Sequence, residues 1–184
     1  MNMGYCPEDL PHQLAGRIIT PIYDIDGTLV ALSTRHLDRD HPARFWHESF
    51  DKSLYLYALN WAKDRIQESD KVILVEGEFD VAAMYQATFP IVVGVCGGTL
   101  SLYQISLLAR YCKNFYLMFD GDQAGREATE RAMKIYRTND LDIYGLNFFP
   151  VELPAELDPD DVLRKYGRTL IVEKLKDSTK KAKS

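Results

Sequence analysis

Two short apolar runs, each ending abruptly in acids and glycine, most limit what this chain can become. Residues 72–75 are followed by Glu76, Gly77, Glu78, Phe79 and Asp80, and residues 115–119 by Asp120, Gly121, Asp122, Gln123, Ala124 and Gly125. Apolar runs this short, bounded by turn-forming residues, read as buried strands. Both strands thus open at their carboxyl ends into acidic loops. In open parallel α/β sheets ligands bind in the crevice outside those ends, so the two loops are expected to meet there.

Glu76, Asp80, Asp120 and Asp122 in one crevice repel one another unless some hold protons or a cation sits among them. Hard oxygen donors without nearby Cys or His favour Mg²⁺ or Mn²⁺ over zinc. A site of this kind suits phosphoryl chemistry, in which metals bind phosphate oxygens and stabilise developing charge.

The surrounding pattern alternates. Strands are expected at 72–76, 91–95, 115–119 and 141–148, with helices at about 79–88, 101–112 and 122–137 between them. Strands alternating with helices of this length predict an α/β fold with a parallel, doubly wound sheet. Upstream, residues 17–24 and 28–34 read as two strands joined at Asp26 and Gly27, a strong signal for a type I′ hairpin turn with positive φ at both positions. Pro21 predicts that the first of these is an edge or bulged strand. Residues 1–16 read as irregular. Leu54, Tyr57, Ala58, Trp61, Ala62 and Ile66 have helical spacing. Downstream, 150–154 reads as a linker, and Asp158 followed by Pro159 as a helix cap. That helix is expected to end at Gly167, with a last helical stretch fading into a basic tail. The expected division is 1–70, a β-hairpin plus helix; 71–150, the parallel sheet; and 151–184, a helical segment completing the acidic site.

The 184 residues suffice for a good core, and 46% hydrophobic with 27% charged residues is ordinary globular composition. No apolar stretch approaches the roughly 20 residues of a membrane span. The first residues lack a signal-peptide pattern, so the expected location is the cytosol. Cys6, Cys96 and Cys112 lie far apart and form neither a zinc ribbon nor a disulfide framework. A net charge of −5 argues against a self-sufficient nucleic-acid binder; a polynucleotide would need local basic patches, a bridging metal or a helper chain.

Taken in order, Glu76 to Asp80, then Gly97, Gly98, Thr99 and Leu100, then Phe119 to Gly125, then Asp158, Pro159, Asp160 and Asp161 resemble the Toprim domain of bacterial DnaG-type primases. Residues 16–22 and 50–57 are similar to stretches leading into that domain. The resemblance implies a Toprim fold, a Rossmann-like parallel sheet with flanking helices, behind a small N-terminal β-rich subdomain. It further implies that Glu76, Asp80, Asp120, Asp122, Asp158 and Asp160 surround Mg²⁺ or Mn²⁺, with Glu76, Asp120 and Asp122 at the chemistry. Arg35 and Lys52 match basic positions facing nucleic acid or nucleotide phosphates. The implied activity is synthesis of short RNA primers on single-stranded DNA from ribonucleoside triphosphates. A replicative helicase or a separate zinc-binding primase chain are the implied partners. The family's zinc-binding, amino-proximal and helicase-binding modules are not recognised, so the chain reads as a trimmed primase core of phage or mobile-element type or as part of a split primase.

Other readings stay open. Toprim domains also occur in nucleases, and a non-catalytic subunit of a replication complex would share the fold. Asp122 and Asp158 also read as helix caps, and Gly97, Gly98 and Thr99 either as a simple turn or as a phosphate cradle at a helix N-terminus. Arg126 and Arg131 read as a solvated helix face. Residues 23–30, with Asp24 and Asp26, resemble the nucleophile loop of haloacid-dehalogenase-type phosphatases, in which the first Asp attacks phosphorus. That family requires the loop to close a buried central strand; here it lies between two strand-like runs.

Overall fold

The computed structural model describes residues 3–9, 13–97 and 99–181. The chain forms two compact units, residues 1–51 and 52–184.

The first unit is an antiparallel sheet of β1 (Gly4–Cys6), β2 (Arg17–Tyr23), β3 (Leu29–His36) and β4 (Phe45–His47), in that spatial order. Alternation along β2 and β3 buries Thr20, Ile22 and Ala31 on one face, and Arg17 and Thr34 on the other. The expected strands at 17–24 and 28–34 are present, but β1 and β4 are too short to carry a pattern and escape sequence reading. Arg17 is buried: its guanidinium donates to the carbonyls of Ala43 at 2.7 Å and Arg44 at 3.4 Å, and to Thr34 Oγ1 at 3.3 Å. These bonds fix the connection into β4.

The hairpin departs from the type I′ expectation. Only Gly27 has positive φ, at 89°. Asp24 and Thr28 close the loop, with Asp24 N–H donating to Thr28 O at 2.9 Å. The Asp24 carboxylate accepts the N–H groups of Asp26 and Thr28, a local bond that a two-residue turn cannot accommodate. Asp24 therefore caps a surface turn between antiparallel strands, which is not the geometry of a phosphatase nucleophile. β2 lies between β1 and β3 and is bulged, the second of the two alternatives that Pro21 predicts. Pro21 is tolerated because β1 pairs only with 17–19, and the irregularity falls between Ile22 and Tyr23.

The second unit runs from a 3-10 turn (Lys52–Leu54) through α1 (Leu59–Ser69), β5 (Lys71–Val75), α2 (Glu78–Gln86), β6 (Val92–Gly94), α3 (Leu102–Leu108), β7 (Asn114–Leu117), α4 (Gln123–Thr138), β8 (Asn147–Pro150) and α5 (Pro159–Lys181). Its strands are all parallel, in the order β6-β5-β7-β8. The fold is the expected α/β type. β5 is a central strand of the parallel sheet, and residues 72–75 are fully buried on both of its faces, which is why they are apolar without alternation. Phe115 stacks on Phe148, and Tyr116 on Phe149, each at 4.9 Å, so β7 and β8 are riveted on both faces.

Two boundaries move. α1 begins at Leu59 rather than near Leu54, because Tyr57 exchanges two backbone hydrogen bonds with Gly94 and Ala58 is left-handed at φ 69°. β8 occupies 147–150 instead of 141–148: Asp140 and Gly145 adopt positive φ, and Leu141 and Leu146 turn inward beneath the end of α4. Within α5, Gly167 is non-helical at φ 71° and ψ −178°, so the run is two helical stretches broken at Gly167, as expected. No helix among the described residues is long and apolar enough to cross a membrane.

Candidate metal and nucleotide site

Because β5 and β7 are parallel neighbours, their acidic loops emerge side by side. Met118 N–H still bonds Leu74 O at 2.8 Å, and one step later Asp120 N–H donates to Glu76 Oε1 at 3.1 Å. The first residue beyond one strand is thus tied directly to the turn beyond the next.

The turn after β7 is shaped by glycine. A side chain on Gly121 would strike the Pro154 carbonyl, and one on Gly125 the Asp120 backbone. Gly121 N–H donates to Leu157 O at 2.9 Å, and Glu156 N–H to Gly121 O at 3.0 Å. This two-way exchange carries the chain leaving β8 back across the acidic turn and delivers Asp158 to it. Asp122 caps α4 by accepting Gly125 N–H at 2.8 Å, and Asp158 caps α5 by accepting Asp161 N–H at 2.6 Å. Each keeps its second oxygen, so capping and cation binding are compatible.

Asp80 is buried in the first turn of α2 and accepts the N–H of Gly77 at 3.3 Å and a backbone bond from Asp160. Burial, then the charge of Asp158, pushes its carboxyl up to about 7. Burial, then Glu76, Asp80, Asp158 and Asp122, pushes Asp120 up to about 8. Burial also raises Glu76 and Asp158. Asp160, by contrast, is engaged by Arg164 through bonds of 2.9 and 2.7 Å.

Among the described residues no three His, Cys, Asp or Glu side chains close into a ready-made metal cage. The donor chemistry nevertheless fits a hard cation. Asp120 Oδ1 is buried with no hydrogen-bond partner, amid carboxylates that raise one another. An orphaned acceptor in negative surroundings calls for positive charge.

Lys52 lies in the turn beside the loop after β6, its stem 3.2 Å and its Nζ 3.7 Å from where a Cβ on Gly97 would stand. With φ at 149°, Gly97 suits only glycine, and its missing side chain lets the lysine lie against the backbone. Gly98 lies outside the described residues. Thr99 N–H turns back to Gly97 O at 2.6 Å, so that amide is not offered to a phosphate. Arg35 belongs to the first unit, on β3, with its guanidinium 5.5 Å from the Phe45 ring centre.

Sequence reading missed three contributors. Arg126 does more than face solvent: it braces the acidic turn by donating to Gly121 O at 2.7 Å. Arg131, 3.7 Å from Glu127, acts electrostatically on Glu76. Gln104 is fully buried and bonds the Lys52 turn; its spacing from Ser101 is a capping box legible in the sequence.

The Toprim domain pattern matches residues 70–147, the stretch that holds both acidic turns. Residues 70–147 are a Toprim domain. The DNA primase of Legionella pneumophila is 34% identical over 167 residues, which is 89% of this chain and 29% of that protein. The DnaG catalytic core superposes with a TM-score of 0.80 at 30% identity, covering 90% of this chain and 54% of the other. A DnaG primase catalytic domain bound to single-stranded DNA gives a TM-score of 0.80 at 28% identity, covering 90% and 52%. The chain thus spans less than a third of the primase it matches and about half of each core. The Toprim domain accounts for β5 to the start of β8, and the likeness to primase cores extends over most of what flanks it.

Proposed function

We propose that this chain carries the nucleotidyl-transfer site of a DNA primase, joining ribonucleotides into short primers on a single-stranded DNA template. The observation that carries the reading is the orphaned Asp120 Oδ1, set among Glu76, Asp80, Asp122 and Asp158 where two parallel strands end. Mg²⁺ or Mn²⁺ held there would bind phosphate oxygens and neutralise the charge that builds on them. In the reaction the 3′ oxygen of one nucleotide bonds to the α-phosphorus of the next, and the bond to pyrophosphate breaks. Asp120, Asp122, Asp80 and Asp158 hold the cations, with Asp160 and its Arg164 partner at the rim. Glu76, half-buried with its carboxyl raised, is suited to take up the proton of the attacking hydroxyl.

Lys52 supplies charge for the incoming triphosphate beside Gly97 and the loop through Gly98 and Thr99. Arg35 contributes a basic contact for nucleic acid from the N-terminal sheet. Arg131, Lys134 and Arg137 share one shallow cavity on α4 with Glu127 and Glu130, giving local positive charge on an acidic chain. The proposed modules are 1–70, 71–150 and 151–184, the last delivering Asp158. A replicative helicase or a zinc-binding primase chain would supply functions beyond this site.

The test is a gel assay of the purified chain with single-stranded DNA, labelled ribonucleotides and Mg²⁺ or Mn²⁺, beside Asp120→Ala. Short labelled products that vanish in the variant support the proposal. Wild-type-only shortening of end-labelled DNA without new products would replace it with a metal-dependent nuclease. Inactivity in both assays, persisting when a zinc-binding primase chain is added, would leave a non-catalytic subunit.

A further inference from the structure

We propose that Gln104 is a positioning residue for Lys52, a role that rests on the reading of Lys52 as a nucleotide-phosphate contact. Gln104 sits in the first turn of α3 with a side chain wholly shielded from solvent. Its Oε1 accepts Ser101 N–H at 2.9 Å, completing the cap of α3. Its Nε2 reaches away from the helix, donating to Tyr55 O at 2.6 Å and to Lys52 O at 3.0 Å. Ser101 Oγ accepts Gln104 N–H at 3.0 Å and donates to Ser53 O at 2.6 Å.

The carbonyls of Lys52, Ser53 and Tyr55 are therefore all taken by side chains from one turn of α3. Within the 3-10 turn itself the bond from Tyr55 N–H to Lys52 O is long, at 3.4 Å, so the turn does not hold its shape unaided. α3 opens directly after the loop containing Gly97, against which the Lys52 stem lies. Gln104 thus fixes the base of the lysine and the exit of that loop to one amide. A cap alone would be served equally by Glu at this position; the two carbonyls require a donor. The Tyr57 to Gly94 exchange anchors the chain further on, so loss of the donor loosens the Lys52 turn without detaching it from β6.

The experiment is a double-mutant cycle on ATP binding in Mg²⁺, measured calorimetrically with the full chain. Gln104→Glu retains shape and the acceptor for Ser101 N–H and removes the donor. The expected result is roughly 10-fold weaker ATP binding, the scale at which outer partners of a binding group act. In a Lys52→Ala background the same substitution should change nothing further. Should Gln104→Glu fail to fold by circular dichroism, Gln104→Met, which keeps the side chain's length and removes the donor to the Lys52 and Tyr55 carbonyls, takes its place in the cycle. Wild-type affinity in the folded variant, or losses that add to that of Lys52→Ala, would overturn the proposal while leaving Lys52 as a phosphate contact. Wild-type affinity in Lys52→Ala itself would overturn the nucleotide reading of Lys52 and the positioning role with it.

Discussion

The backbone N–H of Asp120 donates to Oε1 of Glu76 at 3.1 Å, across 44 positions of sequence. This bond orients Glu76 beside Asp120, whose own Oδ1 is buried without a hydrogen-bond partner, so charge and an unused acceptor meet at one point. On the proposed reading that point is where a cation binds.

Asp120→Asn should therefore lower primer synthesis by at least about 100-fold, the scale of removing one preorganised electrostatic group. The fold should survive, because the Asp120 N–H to Glu76 bond uses the backbone. Thermal melts with and without Mn²⁺ check the cause: stabilisation by the metal should be large in wild type and nearly absent in Asp120→Asn.

The raised carboxyls set a pH dependence. Asp80 at about 7 and Asp120 at about 8 both lie above their ordinary 3.8. Between those limits the folded chain binds more protons than the unfolded one, so stability falls as pH rises. Their contribution is fully present below about pH 4 and lost through pH 7 to 8. Without divalent metal the urea midpoint should be lower at pH 8.5 than at pH 6, and added Mg²⁺ should narrow the gap.

Gly121→Ala drives a methyl into the Pro154 carbonyl and breaks the exchange with Glu156 and Leu157. A loss of about 2–3 kcal/mol in urea unfolding is expected, with metal-induced stabilisation reduced because Asp158 is no longer delivered.

In the N-terminal sheet, Arg17→Leu removes the donor from the Ala43 and Arg44 carbonyls and from Thr34. Leaving buried acceptors unpaired costs about 1–3 kcal/mol, so this unit should melt earlier. Amide exchange in β3 and β4 should quicken while that of β5 and β7 stays unchanged.

The sequence by itself determined the elements of the parallel sheet, because fully buried strands need unbroken apolar runs and 72–75 and 115–119 supply them. It also determined that acids crowd the ends of those strands, and it marked Asp158 as a cap and Gly167 as a break. Tertiary structure decided what those acids do. That Glu76 meets Asp120 follows from β5 pairing with β7, and that Asp158 joins them follows from Gly121 zipping to 156–157. It also decided the short strands β1 and β4, the shift of β8 and the hold of Gln104 on the Lys52 turn. Local pattern reports what a residue buries or caps; a hydrogen bond between residues more than 40 apart exists only once the sheet has fixed which loops are neighbours.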